Sequence, residues 1–194
     1  IKFDGDVSMI KSEGPMFDFI WDLKSIYLPQ TISHFESNQK TYGISGTLCS
    51  VFWGSKNLEA FYGKFSSKDH RCLIVEDKLV AFAPYGVEEY TIPEGIRVIG
   101  AAAFFNNTEL KKIVVPEGVE YIEHEAFMSD SSLESKLEEV YLPSSLIDAE
   151  GYVFAYCDKI KKFEGESPLI SEDGYSLLID NYNNLSMKAL VSFA

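Results

Sequence analysis

Tyr90-Thr-Ile-Pro-Glu-Gly-Ile-Arg-Val-Ile-Gly-Ala-Ala-Ala-Phe104 decides the fold, because the chain returns to this pattern twice. It comes back as Ile113-Val-Val-Pro-Glu-Gly-Val-Glu-Tyr-Ile-Glu-His-Glu-Ala-Phe127 and as Val140-Tyr-Leu-Pro-Ser-Ser-Leu-Ile-Asp-Ala-Glu-Gly-Tyr-Val-Phe154. Each proline (Pro93, Pro116, Pro143) stands eleven residues before its phenylalanine. Six residues after Phe104 and Phe154 come Leu110 and Ile160; after Phe127 the gap to Leu137 is ten, so four residues are inserted around 129–135. The next strand residue follows three positions later, and the same arithmetic runs from Phe17 to Leu23 to Ile26 near the start.

Outward from these segments, one marker residue per turn gives Phe3, Ile26, Val51, Tyr90, Ile113, Val140 and Phe163. The steps are 23, 25, 39, 23, 27 and 23, a period of 23 with insertions of 2, 16 and 4. Within one turn, Ile113 and Val115 alternate as in a short strand, and Pro116, lacking an N–H, closes it. Glu117-Gly118 turns the chain, and Val119, Ile122 and Phe127 point inward again from the other side. A unit this short cannot bury its apolar face alone, so neighbouring coils must stack upon one another. The expected fold is a β-rich solenoid with parallel strands on one face, roughly 30 Å long if seven turns stack at about 4.8 Å.

The motif Ile-Pro-Glu-Gly-Ile-x-x-Ile-Gly-x-x-Ala-Phe, followed by Leu-Lys-Lys-Ile, resembles the BspA-type leucine-rich repeat of surface proteins from gut and oral bacteria and Treponema. The likeness is strongest over residues 87–165 and persists in degraded form over 1–60. Departures are Ala149 in the place of Ile99 and Ile122, Val153 in place of Ala, and Asp6, Gly54 and Glu166 where the closing proline belongs.

Two segments interrupt the pattern. Arg71-Cys-Leu-Ile-Val-Glu-Asp-Lys-Leu-Val-Ala-Phe-Ala83 reads as two antiparallel strands about a tight turn at Glu76-Asp77. Tyr175–Asp180 and Ala189–Ala194 repeat those strands, Leu-Val-Ala-Phe-Ala matching Leu-Val-Ser-Phe-Ala. Ser67-Lys-Asp-His70 before the first hairpin matches Ser171-Glu-Asp-Gly174 before the second. The expected organisation is degenerate repeats over 1–60, a hairpin unit over 61–86, regular repeats over 87–166 and a second, capping or truncated hairpin unit over 167–194. A hairpin of this kind is either a plug between solenoid segments or a binding protrusion. The closing strand would leave an open edge, which suggests a fragment, another partner or a weak homodimer through that strand.

Composition narrows function mainly by exclusion. Thirty acids against seventeen bases give a net charge of −13 over 194 residues, which disfavours nucleic acid and anionic membranes as partners. No apolar run approaches the ~20 residues of a membrane span, and a signal peptide would have to lie outside this sequence. Cys49, Cys72 and Cys157 are too few and too scattered for a disulfide framework. His34, His70 and His124 each lack a neighbour at metal-ligand spacing, and no nucleophile elbow, phosphate loop or dinucleotide fingerprint is present. Gly43-Ile-Ser-Gly46 has the wrong spacing for an elbow. The sequons at Asn106 and Asn184 would matter only in a eukaryotic secretory route. No catalytic set, metal or cofactor is assigned.

Two columns of residues remain. The pairs before the last four markers are Glu88-Glu89, Lys111-Lys112, Glu138-Glu139 and Lys161-Lys162, so the sign alternates from turn to turn. Stacked, they would fix the order of the coils, since a slip by one repeat sets like charges side by side. The residue after each marker runs Asp4, Tyr27, Phe52, Thr91, Val114, Tyr141 and Glu164, all outward on the strand face. Tyr27, Phe52, Thr91, Val114 and Tyr141 are the candidate protein-binding face, because interface centres favour aromatics. Such residues also simply suit exposed strands. Trp53 reads as core. The resemblance implies an exported, non-enzymatic binding module that holds a host or microbial protein at the cell surface. A ligand-free spacer and a glycan-binding surface are the alternatives.

Overall fold

The computed structural model describes residues 2, 9–12, 22–32, 34–37, 55–180 and 188–192. Its strands are short and no helix occurs among these residues. In chain order they begin with β1 (Met9–Ser12), β2 (Ser25–Leu28), β3 (His34–Ser37), β4 (Ala60–Gly63), β5 (Cys72–Val75) and β6 (Lys78–Phe82). Next come β7 (Glu89–Thr91), β8 (Val98–Ile99), β9 (Lys112–Val114), β10 (Tyr121–Ile122), β11 (Glu139–Leu142) and β12 (Asp148–Ala149). The last are β13 (Lys162–Gly165), β14 (Ser176–Asp180) and β15 (Lys188–Ser192).

The regular segment coils as its spacing requires. β7, β9, β11 and β13 form one parallel ladder, with Tyr90, Ile113, Val140 and Phe163 on adjacent rungs. β8, β10 and β12 form a second, which β6 joins in parallel through Lys78↔Val98 and Leu79↔Ile99. The third side is a stack of turns whose backbones also bond from rung to rung. Phe104 N–H donates to the Ala126 carbonyl at 2.7 Å, and Phe127 N–H to that of Val153 at 2.9 Å. Ala102, Glu125 and Tyr152 hold the same place in successive turns, and all three have positive φ, at 53°, 58° and 62°. Left-handed backbone at non-glycine residues is costly. Here it recurs in register because each turn is clamped by the next.

The proline-to-phenylalanine spacing builds the core. Phe82, Phe104, Phe127, Phe154 and Phe163 stack into a spine with centroid separations of 4.6, 4.7, 5.0 and 5.3 Å. Around it Ile92, Ile99, Leu110, Ile113, Val115, Ile122, Val140 and Leu142 are buried. Leu-type residues that would be half exposed in a single coil thus become a continuous apolar column.

The N-terminal ladder departs from the expected register. β2 pairs with β4, so Ile26 stands beside Phe61 and not beside Val51, which lies outside the described residues. At its other edge Tyr27 bridges Lys2, whereas the period placed Asp4 there. Both shifts, ten residues and two, are even numbers. A slip by an even count leaves every side chain on its own face, so alternation cannot distinguish the registers. β1 and β3 pair in parallel as the second ladder of this segment.

The first hairpin is a wall between two cores. β5 and β6 pair antiparallel about the Glu76-Asp77 turn, with a register shift at Leu73/Ile74. Leu73, Val80 and Ala81 pack with Ile26, Leu28 and Phe61 on one side. Cys72, Leu79 and Phe82 join the core of the regular repeats on the other. Burial on both faces explains why these strands read as unbroken apolar runs. β14 and β15 form the second antiparallel hairpin, and Leu177 packs into the preceding core.

Lys78 ties this wall to the coils. Its Nζ reaches Glu123 at 2.6 Å, two rungs away, by passing over Gly100. A Cβ at residue 100 would stand 2.7 Å from the Leu79 carbonyl oxygen and 3.0 Å from Lys78 Cε. The second oxygen of Glu123 accepts the Ala101 N–H at 2.9 Å. In the next rung Glu150 accepts the His124 N–H in the same manner, at 2.8 Å.

Candidate functional site

The outward column of the strand face is built by alternation. With Tyr90, Ile113, Val140 and Phe163 facing the core, Thr91, Val114, Tyr141 and Glu164 face away in one line. Tyr141 is 44% exposed; Thr91 is exposed and Val114 is half-buried. On the N-terminal ladder the outward residues are Tyr27, 48% exposed, and Tyr62, 38% exposed. Their rings stack at 6.4 Å with 23° between planes. The His70 ring lies 4.8 Å from Tyr62, and Lys2 Nζ is 5.9 Å from the Tyr27 centroid. Phe52 lies outside the described residues, as do Cys49, Trp21 and Trp53. Beside Tyr27, the place expected for Phe52 is taken by Tyr62.

Tyr62 and His70 are the residues that period counting missed. A signal for them does exist. Phe61-Tyr62-Gly63 matches Phe163-Glu164-Gly165, so the rung before each hairpin carries the same Phe-x-Gly.

Ion pairs flank this column. Lys111 Nζ lies 2.9 Å from Glu88, Lys112 Nζ 3.0 Å from Glu139, and Lys161 Nζ 2.5 Å from Glu138. Lys24–Glu59, at 3.4 Å, extends the alternation to the N-terminal ladder. A second line runs along the other ladder, where Arg97 joins Asp77 at 2.8 Å and Glu120 at 3.2 Å. The Lys111 hydrogen bond holds the Glu88 carboxyl below its ordinary range, and Lys161 does the same for Glu138. Reciprocally, Glu88 raises Lys111 and Glu138 raises Lys161.

The sign of the pH dependence follows. Depressed carboxyls contribute stability that is present above their unfolded value near 4.5 and lost as pH falls through the lower folded values. Raised lysines contribute stability present below 10.5 and lost as pH rises through the higher folded values. Between these limits the contribution of the ion pairs should not change with pH, whereas the buried thiols Cys72 and Cys157, raised from 9.0, should make thermal stability fall above about pH 9. Reversing both charges at one rung, Lys111→Glu with Lys112→Glu, should lower Tm in 50 mM salt and much less in 1 M salt, where exposed pairs are screened. An equal loss at both salt concentrations would assign these lysines a packing role instead.

The described thiols, Cys72 and Cys157, are enclosed by the core. Burial pushes them up to about 12 and about 11. Such thiols stay protonated and unreactive at neutral pH. Cys157 Sγ donates to the Phe127 carbonyl at 3.2 Å. The Tyr90 hydroxyl donates to Asp69 Oδ2 at 2.9 Å, so the Cys72 thiol, 3.1 Å away, donates to the Tyr90 oxygen. Burial raises the Asp69 carboxyl, but bonds from Ser67, the Arg71 amide and Tyr90 outweigh it and hold it below its ordinary range. Among the described residues no three of His, Cys, Asp and Glu converge as a metal site requires. No helix among them is long and apolar enough to cross a membrane.

Parallel rungs repeating at about 23 residues, an inward phenylalanine spine and an outward strand face define a leucine-rich repeat solenoid. The BspA type leucine rich repeat region matches residues 78–188 in six copies, and the chain belongs to that family. Leucine-rich repeat families are in general non-enzymatic and mediate protein interactions. A leucine-rich repeat protein from Eubacterium ventriosum superposes with a TM-score of 0.62 at 17% identity, over 87% of this chain and 42% of that one. A leucine-rich cell surface protein from Faecalibacterium prausnitzii gives 0.53 at 13% identity, over 94% of this chain and 54% of that one. The chain therefore spans about half, or less, of the solved proteins that it resembles. No curated protein matches it.

Proposed function

We propose that the chain is a non-enzymatic binding module displayed at a bacterial cell surface, holding an extracellular protein against its outward strand column. The observation that carries this reading is the Tyr27–Tyr62 stack, exposed on a paired, parallel backbone. Tyrosines held on a rigid ladder lose little side-chain entropy on binding and supply large amphipathic contact area, which is what interface centres use. Tyr141 is the exposed tyrosine of the corresponding column on the regular repeats. Family membership supports an interaction role, and the surface location rests on the resemblance to bacterial surface proteins.

The test is a screen of the purified chain against extracellular matrix proteins and a glycan array, followed by Tyr27→Ala with Tyr141→Ala. Exposed strand positions tolerate this change, so Tm should hold. Affinity for a protein hit should fall at least about 30-fold, the loss expected from removing a hot spot. A protein hit unaffected by the double change would move the site elsewhere. Hits confined to glycans would replace protein by carbohydrate as the ligand, and an empty screen would favour a ligand-free spacer.

A further inference from the structure

Two outward columns share the strand face of the regular repeats. One is Glu89, Lys112, Glu139 and Lys162, the residue before each inward marker; the other is Thr91, Val114, Tyr141 and Glu164, the residue after it. Lys112 and Val114 are half-buried and the other six are exposed. Successive members stand on adjacent rungs, about 4.8 Å apart. The first column therefore reads minus, plus, minus, plus along the solenoid axis, and Glu88, Lys111, Glu138 and Lys161 beside it repeat those signs. Within the chain Lys112 reaches Glu139 at 3.0 Å, yet 42% of the lysine and 55% of the glutamate side chain stay exposed. Each charge thus keeps an open side toward solvent. Four glutamates and four lysines cancel across the two charged columns, so most of the chain's −13 lies off this face.

An alternating row of even length complements its own reverse. Take a second copy turned over by half a turn about an axis parallel to the strands, midway between the Ile113 and Val140 rungs. Face then lies on face with the rungs in opposite order, and each column meets itself. Glu89 faces Lys162 of the second copy, Lys112 faces its Glu139, and the two-fold axis generates the reciprocal pairs. In the other column Val114 meets Tyr141 of the second copy beside the axis, where the apolar centre of an interface belongs. Thr91 stands at the end of that column, with its hydroxyl placed to donate to the Glu164 carboxylate of the second copy. Sliding by one rung sets Glu89 against Glu139 and Lys112 against itself, so like charges reject that register. Turning about the solenoid axis instead strands Lys112 and Glu139 against Val114 and Tyr141.

We propose that the outward strand face of the regular repeats is a self-recognition surface, on which a second copy of this chain docks with its rungs in reverse order. The inference rests on reading the outward column as a docking face, and it names the partner. The Tyr27–Tyr62 pair belongs to the other ladder and lies outside this contact. The rungs from Tyr90 to Phe163 span only roughly 15 Å, less than a standard interface needs. The contact is accordingly weak between single molecules and gains strength where many copies face one another.

Sedimentation velocity on the purified chain in low salt tests this. Monomer should give way to dimer between about 10 μM and about 1 mM, and about 0.5 M salt should weaken the dimer at least about tenfold. Lys112→Glu alone and Glu139→Lys alone each set like charges together at the axis, and each should stay monomeric. Mixed in equal amounts, the two variants restore opposite signs at every rung, and the mixture should dimerise at least as well as the parent chain. Recovery in the mixture also shows that both variants are folded. A parent chain still monomeric at about 1 mM, a single variant that dimerises like the parent, or a mixture that stays monomeric overturns the proposal. A monomeric parent beside a tyrosine-dependent hit in the matrix-protein screen overturns self-recognition alone and leaves the binding reading standing.

Discussion

Phe127→Ala is expected to cost about 3–5 kcal/mol, a large share of the ~5–15 kcal/mol that holds a domain of this size. Phe127 sits mid-spine, 4% exposed, with rings on both sides at 4.7 Å (Phe104) and 5.0 Å (Phe154). Its own backbone is bonded into the turn stack, so the chain cannot move inward to close the hole. A solenoid's stability is close to a sum over neighbouring rungs, and a central residue serves two interfaces where an end residue serves one. Phe82, 5% exposed and flanked by Tyr90 and Phe104 at 4.6 Å each, also serves two neighbours, so Phe82→Ala should cost about as much as Phe127→Ala. Phe127→Leu, which keeps most of the volume, should cost about 1.5 kcal/mol or less. Urea unfolding of the three variants measures this. A loss below about 1 kcal/mol for Phe127→Ala would mean that the spine is not packed as described.

Gly165→Ala should be nearly as damaging, for a backbone reason. At φ 105° the added Cβ would lie 2.1 Å from the Leu142 carbonyl oxygen, an atom already fixed in the ladder. Gly63 faces Leu28 in the same way at 1.8 Å. Strain at such a φ together with displacement of a ladder carbonyl should cost about 3 kcal/mol or more. Gly118, at φ 98°, has open space where its Cβ would be. Gly118→Ala therefore carries the conformational penalty alone, about 1–2 kcal/mol. The difference between the two substitutions isolates the close approach of consecutive rungs, and equal losses would show that no such approach exists.

Much of this architecture is legible in the sequence because it depends on spacing. The eleven-residue interval from Pro116 to Phe127 fixes both the ladder that the proline closes and the spine that the ring joins. The alternating Glu88, Lys111, Glu138 and Lys161 become neighbours because their rungs are in register. The hairpin turn at Glu76-Asp77 stands out by its apolar flanks. What escapes is whatever depends on insertion length or on a contact several rungs away. Ile26 could meet Val51 or Phe61 without changing the face of any residue, so Tyr62 stayed hidden. Arg97 reaches Asp77 and Glu120 from separate coils, and nothing local announces it. Tyr90 reads as an ordinary inward marker, yet its hydroxyl finds Asp69 and Cys72 only because the hairpin folds back beneath it.

The central claim is that residues of successive coils are direct neighbours across parallel strands. Interstrand backbone NOEs by NMR test it most directly. The account predicts cross-peaks linking Tyr90 to Ile113, Ile113 to Val140 and Val140 to Phe163, with Ile26 linked to Phe61 in the N-terminal ladder. Cross-peaks placing any of these markers beside a residue one position away, or joining them antiparallel, would contradict it.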